Sequence, residues 1–430
     1  MTAHVGTAQI GTVSASPARP RVVVSPGGVE AWHVESALVP LVALAFTFEG
    51  GAAQDPATKP GTAQLLSRLL DEGAGPYTSD AFQERLAARA IELTFTAAPD
   101  AIGGSLKTLV KHADEAFELL RLALAEPRFD ADSVERVRAQ AIAGLRYQQN
   151  DPGAMASKRF FAEAFPDHPY GRPVAGTLES LAAITRDDLV ELHRAVFVRG
   201  GAKIVAVGAI GTDAFGAMLD RVFGGLPAPA SLPPLAPTRL GGLGRRVVVD
   251  LDVPQSVIRF GVNGVSWRDP DFIAAYVLNH ILGGGAFTSR LFQEVREKRG
   301  LAYSVGTSLV SYRSAAMTWG YTATKNERVA ECLELIEAEM GRLKQDGPSD
   351  DELAKAKDYL TGSYALGFDT STKIAHQLTQ IAFEGFDVDY IARRNELVSA
   401  VTQDDIRRVA ARMFEDGRML VVVAGRPIGL

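Results

Sequence analysis

The strongest constraint on this chain is that it says the same thing twice. "ITRDDLVELHRAVFVRGGAKIVAVGAI" from Ile184 lies without a gap on "VTQDDIRRVAARMFEDGRMLVVVAGRP" from Val401. The two share Thr185/Thr402, Asp187/Asp404, Asp188/Asp405, Phe197/Phe414, Gly200/Gly417 and Gly208/Gly425. Each unit predicts a helix with Thr at its N-cap and Asp in the first turn, where the helix dipole favours an anion. A Gly past the helix end and a buried strand complete the unit. Identity at one fixed offset marks a duplication, so any fold must be one that two similar halves can each adopt.

Between the halves, residues 224–246 run "GGLPAPASLPPLAPTRLGGLGR" and on to Arg246. Its prolines and glycines can continue neither a helix nor a central strand, which predicts an extended tether. The division is then a flexible N-terminus (1–20), an N-terminal domain (21–223), the Gly/Pro-rich linker (224–246) and a C-terminal domain (247–430). In each half, strand-like stretches ("LVALAFTFEGG", "QSVIRFGVNGV") lead into helices with apolar residues at three- and four-residue spacing. The expected class is α+β, two homologous halves, each an antiparallel-rich sheet with helices packed on one face.

Charge and cysteine content exclude several functions. A net charge of -6 with interspersed signs leaves no basic stripe for nucleic acid. One cysteine, Cys332, allows neither an internal disulfide nor a thiolate cluster. The longest apolar run, "ALVPLVALAFTF" from Ala37, is too short for a helix across a bilayer, which takes roughly twenty residues. No secretion signal is visible at the start, so the expected compartment is cytoplasmic, with periplasmic as the alternative for a chain whose signal has been removed.

The chemistry-bearing residues are sparse. Seven histidines are scattered, and none has another three to five residues away, as a helix-borne zinc pair requires. "HADEA" from His112 offers Glu115 but Ala116 in place of a second histidine, and His280 in "LNHILGGG" reads as a satisfied helix residue. There is no G-x-S-x-G elbow, and the glycines of "LGGGAFTSRLF" from Leu282 lack the G-K-[ST] ending of a phosphate cradle. "GTAQLLSRLLDEGAG", Gly61 to Gly75, is a helix-forming run with apolar Leu65, Leu66, Leu69 and Leu70 on one face. "SRLFQEVREKRGLAYSVGTSLVS" from Ser289 predicts a helix that ends at Gly300 and an alternating strand from Leu301. Arg296 thus stands at a helix end and Tyr303 at a strand start, seven residues on.

"GGGAFTSRLFQEVREKRGLAYSV" resembles the C-terminal-half signature of the insulinase-like, or pitrilysin, zinc-peptidase family, in which an Arg and a Tyr at this spacing complete an active site. The similarity runs from about Arg21 to the end and includes "HPYGRPVAGTLESLAAIT" and the duplication. The resemblance implies a zinc helix of the form H-x-x-E-H, and here it sets Gln64 at the first histidine, Ser67 at the glutamate base and Arg68 at the second histidine. The third ligand, a glutamate, is due near Gly144, 76 residues beyond Arg68. Zinc takes imidazole or carboxylate at about 2.0–2.2 Å; glycine offers no side chain and arginine brings a permanent cation. A serine hydroxyl cannot act as the general base near neutral pH.

The expectation is therefore a chain that binds no cofactor and is inactive alone. It would be the non-zinc subunit of a heterodimeric zinc metalloendopeptidase, similar to the alpha subunit of processing peptidases. Arg296 and Tyr303 would bind substrate and the oxyanion in trans, and the zinc would reside in a homologous partner with an intact H-x-x-E-H motif. A peptide is the expected substrate. The alternatives are a catalytically inactive structural or assembly protein, or a peptide-binding homodimer, on the same fold.

Overall fold

A computed structural model of the chain describes residues 19–228, 232–415 and 417–430. Most of the N-terminal segment expected to be flexible, and residues 229–231 of the proline-rich linker, lie outside the described residues.

The N-terminal half forms β1 (Arg21–Val24), β2 (Glu30–Glu35), β3 (Leu41–Glu49), β4 (Glu92–Ala97), β5 (Ala101–Leu109) and β6 (Ala202–Gly208), arranged β1-β2-β6-β3-β5-β4. The C-terminal half forms β7 (Arg246–Asp250), β8 (Gln255–Asn263), β9 (Ala302–Ser311), β10 (Ala316–Lys325) and β11 (Leu420–Gly425), arranged β7-β11-β8-β10-β9. Leaving out β1, the two orders match strand for strand. Each sheet is antiparallel except for one pair, β2 with β6 and β7 with β11. The apolar run from Ala37 is largely the buried strand β3.

The repeat noted in the sequence holds to the level of single hydrogen bonds. Thr185 and Asp188 cap helix Arg186–Val196 reciprocally, each accepting the other's backbone N–H, and Thr402 and Asp405 do the same for helix Gln403–Met413. Gly200 and Gly417 turn the chain at φ of 83° and 73°, a conformation open to glycine without steric cost. Phe197 and Phe414 are both buried beneath the following strand.

One face of each sheet is covered by helices of its own half, as the amphipathic pattern requires. The other face is covered by a helix from the opposite half. Helix Pro152–Ala164 of the N-terminal half packs on β8 and β11, and helix Ser371–Phe383 of the C-terminal half packs on β3 and β6. Since β8 and β11 are the counterparts of β3 and β6, the exchange is reciprocal. Phe160, fully buried, lies so close to β8 that a Cβ on Gly261 would stand 2.5 Å from its ring. Glycine there is what lets the ring reach the sheet.

The linker is stitched to both halves. Gln54 donates to the Pro233 carbonyl, Thr238 N–H to Ser314 and Gly241 N–H to Ala164, and Leu240 is buried. Beside it Asp100 accepts from Tyr170 Oη at 2.6 Å and from Arg313 N–H at 2.9 Å, tying the β4–β5 turn to the β9–β10 turn.

Candidate functional site

The helix that the H-x-x-E-H alignment designates spans Thr62–Ser67, shorter than the Gly61–Gly75 run suggested, because the chain leaves the helix at Arg68 and turns through Gly73 and Gly75 at positive φ. Its leucines face the core: Leu65, Leu66, Leu69 and Leu70 are buried. The N-terminal end is held by Asp55, whose carboxylate accepts the backbone N–H groups of Gly61 at 2.7 Å and Ala63 at 2.8 Å. Burial pushes the Asp55 carboxyl up to about 7 even though these bonds pull the other way.

At the designated positions the chemistry is inert. Gln64 is half-buried. The buried Ser67 hydroxyl donates back to the Gln64 carbonyl at 3.0 Å, and Arg68 projects to solvent as the C-cap. Gly144 lies on the exposed side of helix Ala131–Gln148, where an added Cβ would meet nothing within 4 Å. These residues do not fit a zinc ion, and among the described residues no group of three His, Cys, Asp or Glu side chains could hold a metal.

The segment after this helix is tied to helix Ala131–Gln148. Glu72, just past the short helix, accepts from Arg136 of helix Ala131–Gln148 and from Ser79. Burial raises its carboxyl, but the Arg136 and Ser79 bonds outweigh this and leave it below the usual carboxylate range. The two helices that would carry ligands are thus still braced together.

The C-terminal locus differs in kind. Arg296 sits in a π-helical turn, Phe292–Glu297; Gly300 then reverses the chain at φ 58°, and β9, an edge strand, begins at Ala302. The turn brings the Arg296 guanidinium carbon 4.8 Å from the centre of the Tyr303 ring and 4.7 Å from that of Phe292. Phe287, two-thirds exposed, stands 5.9 Å away on the third side. Aromatic faces attract the cation and restrict its orientation. Among the described residues Glu297 is its carboxylate neighbour, 3.6 Å away. Tyr303 is 83% exposed, and its hydroxyl has no hydrogen-bond partner among the described residues. A cation and a free phenolic O–H are therefore presented together at the start of an edge strand.

Sequence reasoning placed Arg296 and Tyr303 but missed their setting. The signal was there: Phe292 and Arg296 are four apart, the spacing that stacks side chains on one helical face. Asp55 was also missed, because its capping role reaches across a turn to a helix six residues on. Other candidates resolve as structural. Glu115 of "HADEA" pairs with Arg85 and Arg89, each at 3.0 Å. His280 is buried and stacked on Tyr359, and burial pushes the Cys332 thiol up to about 11, leaving it unreactive.

Residues 34–178 match the family described as Insulinase (Peptidase family M16), and residues 183–360 match the Peptidase M16 inactive domain. The chain belongs to the M16 peptidase family. It is 28% identical to an uncharacterized zinc protease of Mycobacterium bovis over 417 residues, covering 92% of this chain and 91% of that one. A non-peptidase homolog of Helicobacter pylori is 27% identical over 340 residues, covering 79% and 78% of the two chains. The crystal structure of a peptidase M16 inactive domain from Pseudomonas fluorescens superposes with a TM-score of 0.87 at 26% identity, covering 95% of this chain and 98% of that one. No described helix is long and apolar enough to cross a membrane.

Proposed function

We propose that this M16 chain is the non-zinc subunit of a heterodimeric metalloendopeptidase, hydrolytically silent alone, that supplies Arg296 and Tyr303 to a homologous partner carrying H-x-x-E-H. The observation that carries the reading is the pairing of a caged guanidinium with an unpartnered tyrosine hydroxyl on an edge strand. The rings orient the Arg296 fork, and the exposed Tyr303 hydroxyl beside it is open to a group from outside the chain.

In the assembled site the Arg296 fork donates to carbonyl oxygens of an extended peptide. The Tyr303 hydroxyl, a neutral donor, gives its hydrogen bond to the oxygen that gains negative charge as the scissile carbonyl becomes tetrahedral. The metal and the general base belong to the partner, and the peptide lies along a sheet edge there.

Co-expression with an H-x-x-E-H homologue from the same genome tests this. The expected result is a stable heterodimer that cleaves a quenched fluorescent peptide which neither chain cleaves alone. A second reading, an inactive structural or peptide-binding protein, draws on the vacated metal positions and on the non-peptidase homolog among the relatives. A stable homodimer that ignores the H-x-x-E-H chain would favour it.

A further inference from the structure

Away from both loci, helices Phe272–Asn279 and Tyr390–Ala400, the turn Tyr364–Phe368 and the crossing helix Ser371–Phe383 enclose a cavity of about 370 Å³ open to solvent. Trp267, Phe272, Tyr276 and Tyr390 give it aromatic walls, with Trp267 stacked on Phe272 at 4.4 Å. Arg394 forms part of the lining and is only 5% exposed. A cation that far from water is ordinarily paired with a carboxylate, because desolvation is otherwise uncompensated. Arg394 has no such partner among the described residues. Its Nη1 donates to the Leu360 carbonyl at 2.6 Å and to Asn395 Oδ1 at 2.9 Å, and its remaining N–H groups make no hydrogen bond there.

The guanidinium is instead flanked by two rings, with its carbon 4.3 Å from the centre of Tyr364 and 5.3 Å from that of Tyr276. These contacts orient the fork but accept no hydrogen bond. The Tyr364 hydroxyl is itself buried and unpartnered. Burial pushes that phenol up to about 12, so it is a proton donor at neutral pH. One cavity therefore holds a positive charge without an anion among the described residues beside an aromatic wall, while the Tyr364 hydroxyl is closed off from it.

We infer that this cavity binds a small carboxylic acid with an aromatic body, its carboxylate received by Arg394 and its ring by Trp267, Phe272, Tyr276 and Tyr390. A carboxylate satisfies the unpaired fork, since it accepts on two oxygens and neutralises the cation. The volume suits a ligand of one ring with a short side chain better than an extended peptide. The crossing helix forms one wall, so occupancy stiffens the contact by which the C-terminal half covers the N-terminal sheet.

The test uses the full chain and two probes of nearly equal shape, phenylacetate and phenylacetamide, in calorimetry and ligand-observed NMR. Phenylacetate is expected to bind saturably with Kd in roughly the millimolar range or below, and the amide at least about tenfold more weakly, the usual loss for a hydrogen-bonded charge. N-acetyl-glycyl-phenylalanine runs in parallel: binding tighter than phenylacetate would identify the source as a peptide C-terminus, weaker binding as a free acid. Tyr364→Phe keeps the ring that flanks Arg394 and removes only a hydroxyl closed off from the cavity, so it should fold as wild type and keep its phenylacetate affinity. Arg394→Lys, which keeps the charge but not the fork, should weaken phenylacetate about tenfold. Absence of saturable binding, equal binding of acid and amide, or wild-type affinity in Arg394→Lys overturns the inference.

Discussion

The guanidinium of Arg296 lies 4.8 Å from the centre of the Tyr303 ring, across a chain reversal at Gly300. Tyr303 is not needed for packing: it is 83% exposed and its hydroxyl bonds to nothing described. Tyr303→Phe should therefore leave thermal stability and heterodimer formation unchanged. Mixed with the zinc-bearing partner, the variant should lose about a hundredfold to a thousandfold in kcat, as removal of an oxyanion donor typically does. Peptide cleavage by the purified heterodimer measures this, and wild-type turnover would remove Tyr303 from the site.

Gly144 supplies a prediction that separates structure from chemistry. It sits on the exposed side of an 18-residue helix, and a Cβ there meets open space. Gly144→Ala should raise stability by roughly 0.5–1 kcal/mol, the helix-propensity gain. A shift of the urea midpoint upward at constant slope would show it.

Restoring ligands tests whether the frame survives. Because Glu72 and Arg136 still brace the two helices, the combined variant Gln64→His, Arg68→His, Gly144→Glu should gain stoichiometric zinc, while wild type carries none after purification. Elemental analysis of dialysed protein reads both, and stoichiometric zinc in the wild type would contradict the assignment of Gln64, Ser67 and Arg68 as vacated positions.

The reciprocal helix exchange makes Phe160 a joint between halves. Truncation to Ala should cost about 3–5 kcal/mol, as for a fully buried aromatic. The damage should appear in the C-terminal sheet, so amide exchange in β8 and β11 should speed up more than in β3 and β6. The opposite distribution would mean that the ring matters only within its own half.

Acid titration carries a defined sign at Glu384, whose carboxyl is pushed up to about 7, chiefly by burial and against the pull of Arg268 and Arg313. Between its ordinary value near 4.5 and 7, the unfolded chain has lost this proton and the folded chain keeps it. Stability from this group is thus full at low pH and falls as pH rises through 7. Glu384→Gln should be insensitive to that step. Urea midpoints of wild type and variant should diverge from pH 5 to pH 8, wild type dropping relative to the variant.

Much of this was legible in one dimension. The duplication, the capping Thr and Asp of both repeats, and the reversal at Gly300 rest on short-range rules, and the tertiary fold obeys them down to matched hydrogen bonds. The placing of Arg296 at a helix end and Tyr303 at a strand start was legible because they are seven residues apart and joined by one turn. Asp55 was not, since a carboxylate in "QDPATKPG" reads as an ordinary loop residue until its helix is placed against it. The linker read as a bare tether; its backbone groups instead find partners on both halves, which no composition rule specifies.

The sequence by itself determined two α+β halves, the strands and helix caps of the repeated units, and the absence of zinc-ligating side chains at 64, 68 and 144, because periodicity, capping and coordination chemistry are local. Tertiary structure alone decided which surfaces meet. The second face of each sheet is closed by the other half's helix, and the unpaired Arg394 is left facing an aromatic cavity. These depend on contacts between residues far apart in sequence, where burial and desolvation act on neighbours that only the folded chain provides.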